Sequence, residues 1–150
     1  GFFHVTDKRM TRFMITLEEA VKLVKYAFVD MSGGEIYISK IPSMKVLDIA
    51  RAIKQSNKIK ILGIRPGEKM HEIMISDEEV HRCEQVGNYY AIRSMLPELN
   101  DNFKNSSDLK KEYSSDDDVL DLHGTIQLLK RHNLLHIPGL REKNPPELLR

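Results

Sequence analysis

The sequence predicts an α/β fold, and three stretches carry that prediction. Behind Thr16, the residues Leu17, Ala20, Val21, Leu23, Val24, Ala27, Phe28 and Met31 recur at helical spacing. Thr16-x-x-Glu19 forms a capping box at the start, and Gly33-Gly34 ends the run. Residues 35–40 then alternate around Ile36 and Ile38 with Tyr37 between them, which is the period of a strand. Finally, Ile61-Leu62-Gly63-Ile64 is a short apolar run that reads as a buried strand. Pro66 and Gly67 cut it off within Arg65-Pro66-Gly67-Glu68-Lys69, and an amphipathic segment follows.

Composition bounds the rest. A chain of 150 residues suits one ordinary domain, and 41% hydrophobic with 30% charged residues marks it as globular. The formal net charge of +1 gives no bulk basicity, so no nucleic-acid partner is expected. The single cysteine, Cys83, offers neither an internal disulfide nor a thiolate cluster and fits a reducing compartment. No apolar run approaches the roughly 20 residues of a membrane span. The opening GFFHVTDKRM lacks the apolar core and small-residue cleavage site of a signal peptide, so a cytoplasmic location is expected.

In chain order, an apolar patch, Phe2-Phe3-His4-Val5, leads to Met10-Thr11 flanked by Arg9 and Arg12. Strands are predicted at residues 13–15, 35–39, 59–64 and 89–92. Helices are predicted at 17–31, 44–54, 76–86 and 122–131. Ser43 is the expected cap of the second helix, whose buried stripe is Val46, Leu47, Ile49, Ala50 and Ile53. Met70, Ile73 and Met74 suit a further short helix, their methionines packing in the core. Ser76-x-x-Glu79 is a second capping box, with Val80, Cys83 and Val86 as the inward side of its helix. The last helix buries Leu122, Ile126, Leu128 and Leu129.

Residues 94–118 turn polar and read as an excursion or lid. Within them, Ser114-Ser115-Asp116-Asp117-Asp118 lacks the alternating oxygen ligands and central glycine of a calcium loop and reads as a solvated acidic turn. The domain therefore covers 1–131, with 132–150 as a peripheral tail.

Most catalytic constellations are missing. His71-Glu72 has no second histidine at zinc-protease spacing, and His4, His81, His123, His132 and His136 show no ligand spacing, so no metal site is expected. There is no glycine-rich dinucleotide or P-loop motif and no serine nucleophile elbow. The positive signal is Arg12 and Arg65, each at an element boundary, Arg12 just before a helix start. An arginine fork grips phosphate oxygens in pairs, and two such residues on one site suit a pyrophosphate. Glu68 can accept from a hydroxyl pair such as a ribose, while Lys40 and Lys69 add positive field. A charged rim without a ligand has the same sequence, and both readings stand at this level.

Four stretches carry a resemblance: TDKRMTRFMITLEEAV (6–21), GGEIYISKIPSMKVLDIARAI (33–53), ILGIRPGEKMHEIMIS (61–76), and the pair YSSDDD (113–118) with LDLHGTIQLL (120–129). In this order and spacing the chain resembles the C-terminal part of the nucleotide-sugar 4,6-dehydratases of the extended short-chain dehydrogenase/reductase family. The resemblance is strongest to the inverting UDP-N-acetylglucosamine 4,6-dehydratases, some with 5-epimerase activity, of capsule, lipopolysaccharide and other surface-glycan biosynthesis. It implies an enzyme of about twice this length. An N-terminal Rossmann domain holds NAD or NADP and the chemistry, and a smaller C-terminal domain holds the UDP-sugar. The reaction so implied oxidises the sugar at C4, eliminates water across C5–C6 and returns the hydride to C6.

By the same resemblance, Arg12 and Arg65 face the pyrophosphate and Glu68 the uridine ribose. Met10 and Thr11 line the approach to the sugar, and Lys69 and His71 support the site. The sequence departs from the family in lacking the cofactor loop, the tyrosine–lysine pair and the elimination acid and base; Tyr26 has no lysine at the required position. No catalytic, cofactor-binding or metal residue is therefore assigned. The chain is expected to be a fragment or one half of a split product, inactive alone and lacking most of the Rossmann domain. Its expected partners are UDP-N-acetylglucosamine or a related UDP-sugar, the missing N-terminal Rossmann half and further copies in a homo-oligomer. The alternative is a non-catalytic remnant, or a partner-dependent half of a related nucleotide-sugar epimerase or reductase.

Overall fold

The structure, a computed structural model, describes residues 1–54, 56–99 and 109–135. Its strands are β1 (Phe2–Val5), β2 (Thr11–Phe13), β3 (Ile36–Ser39), β4 (Ser43–Lys45), β5 (Lys58–Ile61), β6 (Ile73–Ile75), β7 (Cys83–Val86), β8 (Tyr89–Ile92), β9 (Tyr113–Ser114) and β10 (Val119–Leu120). The helices are α1 (Leu17–Asp30), α2 (Val46–Ile53), the single turn α3 (Asp77–Val80) and α4 (Leu122–Arg131). The expected α/β class holds. Among the described residues the strands form small open sheets of two or three strands, and no long Rossmann-type sheet is present.

β1 pairs in parallel with β5, and Leu62 and Gly63 prolong the contact by donating to the Val5 and Thr6 carbonyls. β4 is the centre of a mixed sheet, antiparallel to β2 and parallel to β10. β3, β8 and β7 form an antiparallel sheet. β6 and β9 pair across an irregularity between Ile73 and Ile75. The core gathers Ile38, Cys83, Tyr90 and Ile92 from the β3-β8-β7 sheet and Ile75 from the β6-β9 pair, with Met74, Val80, Leu109 and Tyr113 packed against it. α2 and α4 pack together beside the central sheet, burying Leu47, Ala50 and Leu129.

Several local expectations need correction. The predicted helix 76–86 ends after one turn. From Cys83 to Val86 the chain is a strand, each residue paired antiparallel with 89–92. Gly87, at φ 57°, then turns the chain back into β8. The short helix expected over 70–74 is instead an irregular lead into β6, because Ile73 and Ile75 pair with a strand far along the chain. Ser43 is buried in β4 rather than capping α2, whose N-cap is Lys45 without a side-chain bond. Within the predicted stripe of α2, Ile53 is exposed. The strand expected over 59–64 ends at Ile61, the one at 13–15 lies earlier as β2, and the Phe2 patch is itself a strand.

α1 begins where its capping box predicts: Glu19 N–H donates to Thr16 Oγ1, while Thr16 N–H and Oγ1–H donate to the Glu19 carboxylate. None of its residues is buried. Leu17, Val21, Val24 and Phe28, one turn apart in succession, form an exposed apolar stripe. The serines of the acidic turn are buried, Ser115 completely. Residues 100–108 of the expected excursion, and 136–150 of the expected tail with His136, lie outside the described residues.

Candidate functional site

Two loops meet at β2. The first, residues 65–72, leaves β5 and reaches β6. The second, residues 115–118, links β9 to β10. β2 alternates its side chains between two faces, so Thr11 and Arg12 address different surroundings.

Arg12 binds the first loop. Nη1 donates to the carbonyls of Thr11 at 2.6 Å and Met70 at 3.2 Å, and Nη2 to that of Lys69 at 3.0 Å. Nε lies 3.3 Å from Glu72 Oε1. Thr11 N–H also donates to the Met70 carbonyl at 3.1 Å. The planar fork, always charged, thus fixes residues 69–72 against the strand.

Arg65 and Glu68 stand at the other end of the same loop. The turn closes on itself: Arg65 N–H donates to Glu68 Oε2 at 3.0 Å, and Glu68 N–H donates to the Arg65 carbonyl at 3.1 Å. Gly67 adopts φ 84°, where an L side chain would be strained. The Arg65 side chain is exposed and makes no ion pair among the described residues. Lys69 is exposed as well, its carbonyl held by Arg12.

The remaining sequence-predicted residues divide. Met10 is buried in the core, its carbonyl accepting from Val46 N–H at the start of α2. Thr11 is buried too, its hydroxyl 2.7 Å from both His71 Nδ1 and Ser115 Oγ. Lys40 lies on the β3 sheet, bonded to Gln85 Oε1 at 2.8 Å and set over the Tyr90 ring. Ser115 is the residue that sequence reasoning missed. Its Oγ accepts from Glu72 N–H at 2.9 Å, and its N–H donates to the Glu72 carbonyl at 2.8 Å. It lies 104 positions from Thr11, a separation at which no periodicity signals contact.

These bonds join into one chain. The buried Ser115 hydroxyl already accepts from Glu72 N–H, and the acceptor within reach of its own proton is Thr11 Oγ1. In that order Thr11 donates to His71 Nδ1, which leaves Nε2 as the ring nitrogen that can donate. Next to this chain, Ser114 Oγ donates to Asp116 Oδ1 at 2.6 Å and holds that carboxyl below the usual aspartate range.

A resident dinucleotide does not fit these residues. Gly33 and Gly34 lie between a helix and a strand, Gly63 and Gly67 in the β5–β6 loop and Gly87 in a hairpin. Gly124 alone among the described glycines lies where a pyrophosphate would rest, in the first turn of a helix after a parallel strand, β10, and its N–H is already taken by Asp121 Oδ1 at 2.7 Å. Among the described residues, no three His, Cys, Asp or Glu side chains gather as a metal site, and no helix is long and apolar enough to cross a membrane.

Comparison with known proteins narrows the field. Residues 1–94 match the family model described as polysaccharide biosynthesis protein. The chain is 41% identical over 136 residues to the inverting UDP-N-acetylglucosamine 4,6-dehydratase of Campylobacter jejuni serotype O:23/36, a match covering 79% of this chain and 41% of that protein. It is 56% identical over 88 residues to the enzyme of the same name from serotype O:2, covering 59% of this chain and 26% of that one. A UDP-glucose 4-epimerase of Rickettsia bellii is 39% identical over 92 residues, covering 59% and 27%. The crystal structure of Pen from Bacillus thuringiensis superposes with a TM-score of 0.76 at 28% identity, covering 89% of this chain and 42% of that one. The chain thus spans about two fifths or less of the relatives it matches.

Proposed function

The chain belongs to the polysaccharide biosynthesis protein family, and from that premise we propose that it is the UDP-sugar-binding portion of a UDP-N-acetylglucosamine 4,6-dehydratase, inactive by itself. The observation that carries this reading is the unit formed by β2 and residues 65–72. Arg12 ties the loop down through backbone carbonyls, and the loop holds up Arg65, an exposed guanidinium with no ion pair among the described residues. Arg65, with Arg12 behind it and Lys69 alongside, meets the pyrophosphate. Glu68 releases Arg65 N–H to accept from the ribose hydroxyls, while Met10 and Thr11 keep β2 in register beneath the sugar.

The relatives named as dehydratases and epimerases support a nucleotide sugar as the ligand. Nicotinamide chemistry belongs to the portion of the longer enzyme that this chain does not contain. The exposed stripe of α1 and the open β1–β5 pair offer that N-terminal half a surface, which favours partner-dependent catalysis over a free-standing activity.

Calorimetric titration of UDP and of UDP-N-acetylglucosamine into the purified chain tests the reading. Both ligands bind, and Arg65→Ala weakens both by about tenfold or more, the loss of a charge-assisted phosphate contact. A cooperatively folded sample that binds neither ligand overturns autonomous recognition and leaves the partner-dependent half.

A further inference from the structure

The face of β2 that carries Thr11 borders a second cleft, of about 530 Å³, between the start of α2, residues 8–9 and residues 116–119. Its cations are Lys8, Arg9, Lys45 and Arg51, against the carboxylates of Asp48 and Asp116. Two of these cations are already paired. Arg9 places Nε and Nη2 each 3.0 Å from the two Asp7 oxygens, and Arg51 Nη1 lies 3.4 Å from Asp48. Asp116 accepts from the Ser114 hydroxyl, which keeps its carboxylate ionised, so it offsets one positive charge of the cleft. Lys8 and Lys45 are left with no ion pair among the described residues, in one concavity. Unbalanced like charges repel, and a bound anion relieves that repulsion. His71 also lines the cleft, and with Thr11 donating to its Nδ1 the other ring nitrogen, Nε2, is the donor available there.

We propose that this cleft binds the phosphate group of a phosphate ester, held by Lys8, Lys45 and the His71 Nε2–H. Three donor groups on separate segments suit a tetrahedral oxyanion better than a flat carboxylate, and the volume leaves room for an organic body. The cleft shares His71 with the 65–72 loop, but neither Arg12 nor Arg65 lines it, because Thr11 and Arg12 point to opposite faces of β2.

The test is titration of the whole chain with inorganic phosphate, and with acetate as the carboxylate control. The imidazole ¹⁵N signals of His71 are followed by NMR. Phosphate saturates and shifts His71 Nε2, while acetate does not saturate over the same range. Lys45→Met and Lys8→Met, both exposed substitutions, each weaken phosphate binding about tenfold. Arg65→Ala leaves it unchanged while weakening UDP, so the two sites fail separately. Phosphate that does not saturate, that saturates equally in both lysine variants, or that is matched by acetate overturns the proposal.

Discussion

Arg12 Nε sits 3.3 Å from Glu72 Oε1, while the rest of the same guanidinium serves three backbone carbonyls. The two kinds of contact differ in weight. Both side chains of the ion pair are partly in water, at 30% and 41% exposure, so the pair itself contributes about 0–1 kcal/mol. The carbonyl bonds are charge-assisted, and the two from Nη1 to Thr11 and Met70 are part-buried, so losing them strands acceptors at about 1–3 kcal/mol. Glu72→Gln should therefore lower unfolding stability slightly in urea titration, and Arg12→Ala should lower it by about 2 kcal/mol. Arg12→Lys keeps the charge without the fork and should fall nearer Ala than wild type. Equal, small losses for Arg12→Ala and Glu72→Gln would show that the fork does not hold the loop.

The Thr11 hydroxyl is a relay between the buried Ser115 and the half-buried His71. Thr11→Val keeps the shape and removes the oxygen, leaving the Ser115 proton without an acceptor and His71 Nδ1 without a donor. The expected cost is about 1–3 kcal/mol. The decisive readout is the His71 tautomer: ¹⁵N NMR should give a single Nε2–H form in the wild type and a mixture in the variant. An unchanged tautomer ratio would mean that Thr11 does not set it.

How far the sequence revealed this architecture depends on the range of each signal. Thr16 and Glu19 lie three residues apart, so their mutual capping was legible, and α1 starts where they place it. Ser76 and Glu79 announce a helix start equally well, yet nothing in a start signal sets length; the pairing of residues 83–86 with β8 through the Gly87 turn ends α3 after one turn. β6 was misread because its partner strand lies about forty positions ahead. Arg12 and the 65–69 turn were legible as charged residues at element boundaries. That Arg12 spends its fork on carbonyls, and that Ser115 completes the Thr11–His71 chain, depends on contacts between distant segments.

Both capping boxes also predict how the chain responds to acid. Glu19 and Glu79 lie below the ordinary glutamate value of 4.5, because the backbone N–H and then the hydroxyl of Thr16 and Ser76 donate to their carboxylates. A carboxyl depressed in the folded state stabilises fully above its unfolded value, and that contribution is lost as pH falls through the folded one. The urea midpoint should hold near neutrality and decline below about pH 4.5. The double substitution Glu19→Gln and Glu79→Gln should lower the neutral plateau and flatten that decline. Thr16→Ala, which removes the hydroxyl of the first box, should cost about 1 kcal/mol. An acid slope that the double variant leaves unaltered would place the titrating groups elsewhere.

The outer face of α1 makes the opposite prediction, for association rather than folding. Leu17 and Phe28 are 81% and 76% exposed, so replacing both by lysine removes almost no buried area. The unfolding free energy should move by no more than about 0.5 kcal/mol for each. The stripe they share with Val21 and Val24 is a continuous apolar surface on a helix whose other side is only half-covered. In sedimentation velocity the wild-type chain should self-associate as its concentration rises, while the doubly substituted chain stays monomeric. Co-expression with the N-terminal portion of a matched relative should yield a complex with the wild type and none with the variant. A variant that unfolds readily would show instead that the stripe packs inside the chain, and a variant that still captures the N-terminal portion would move the docking surface to the β1–β5 edge.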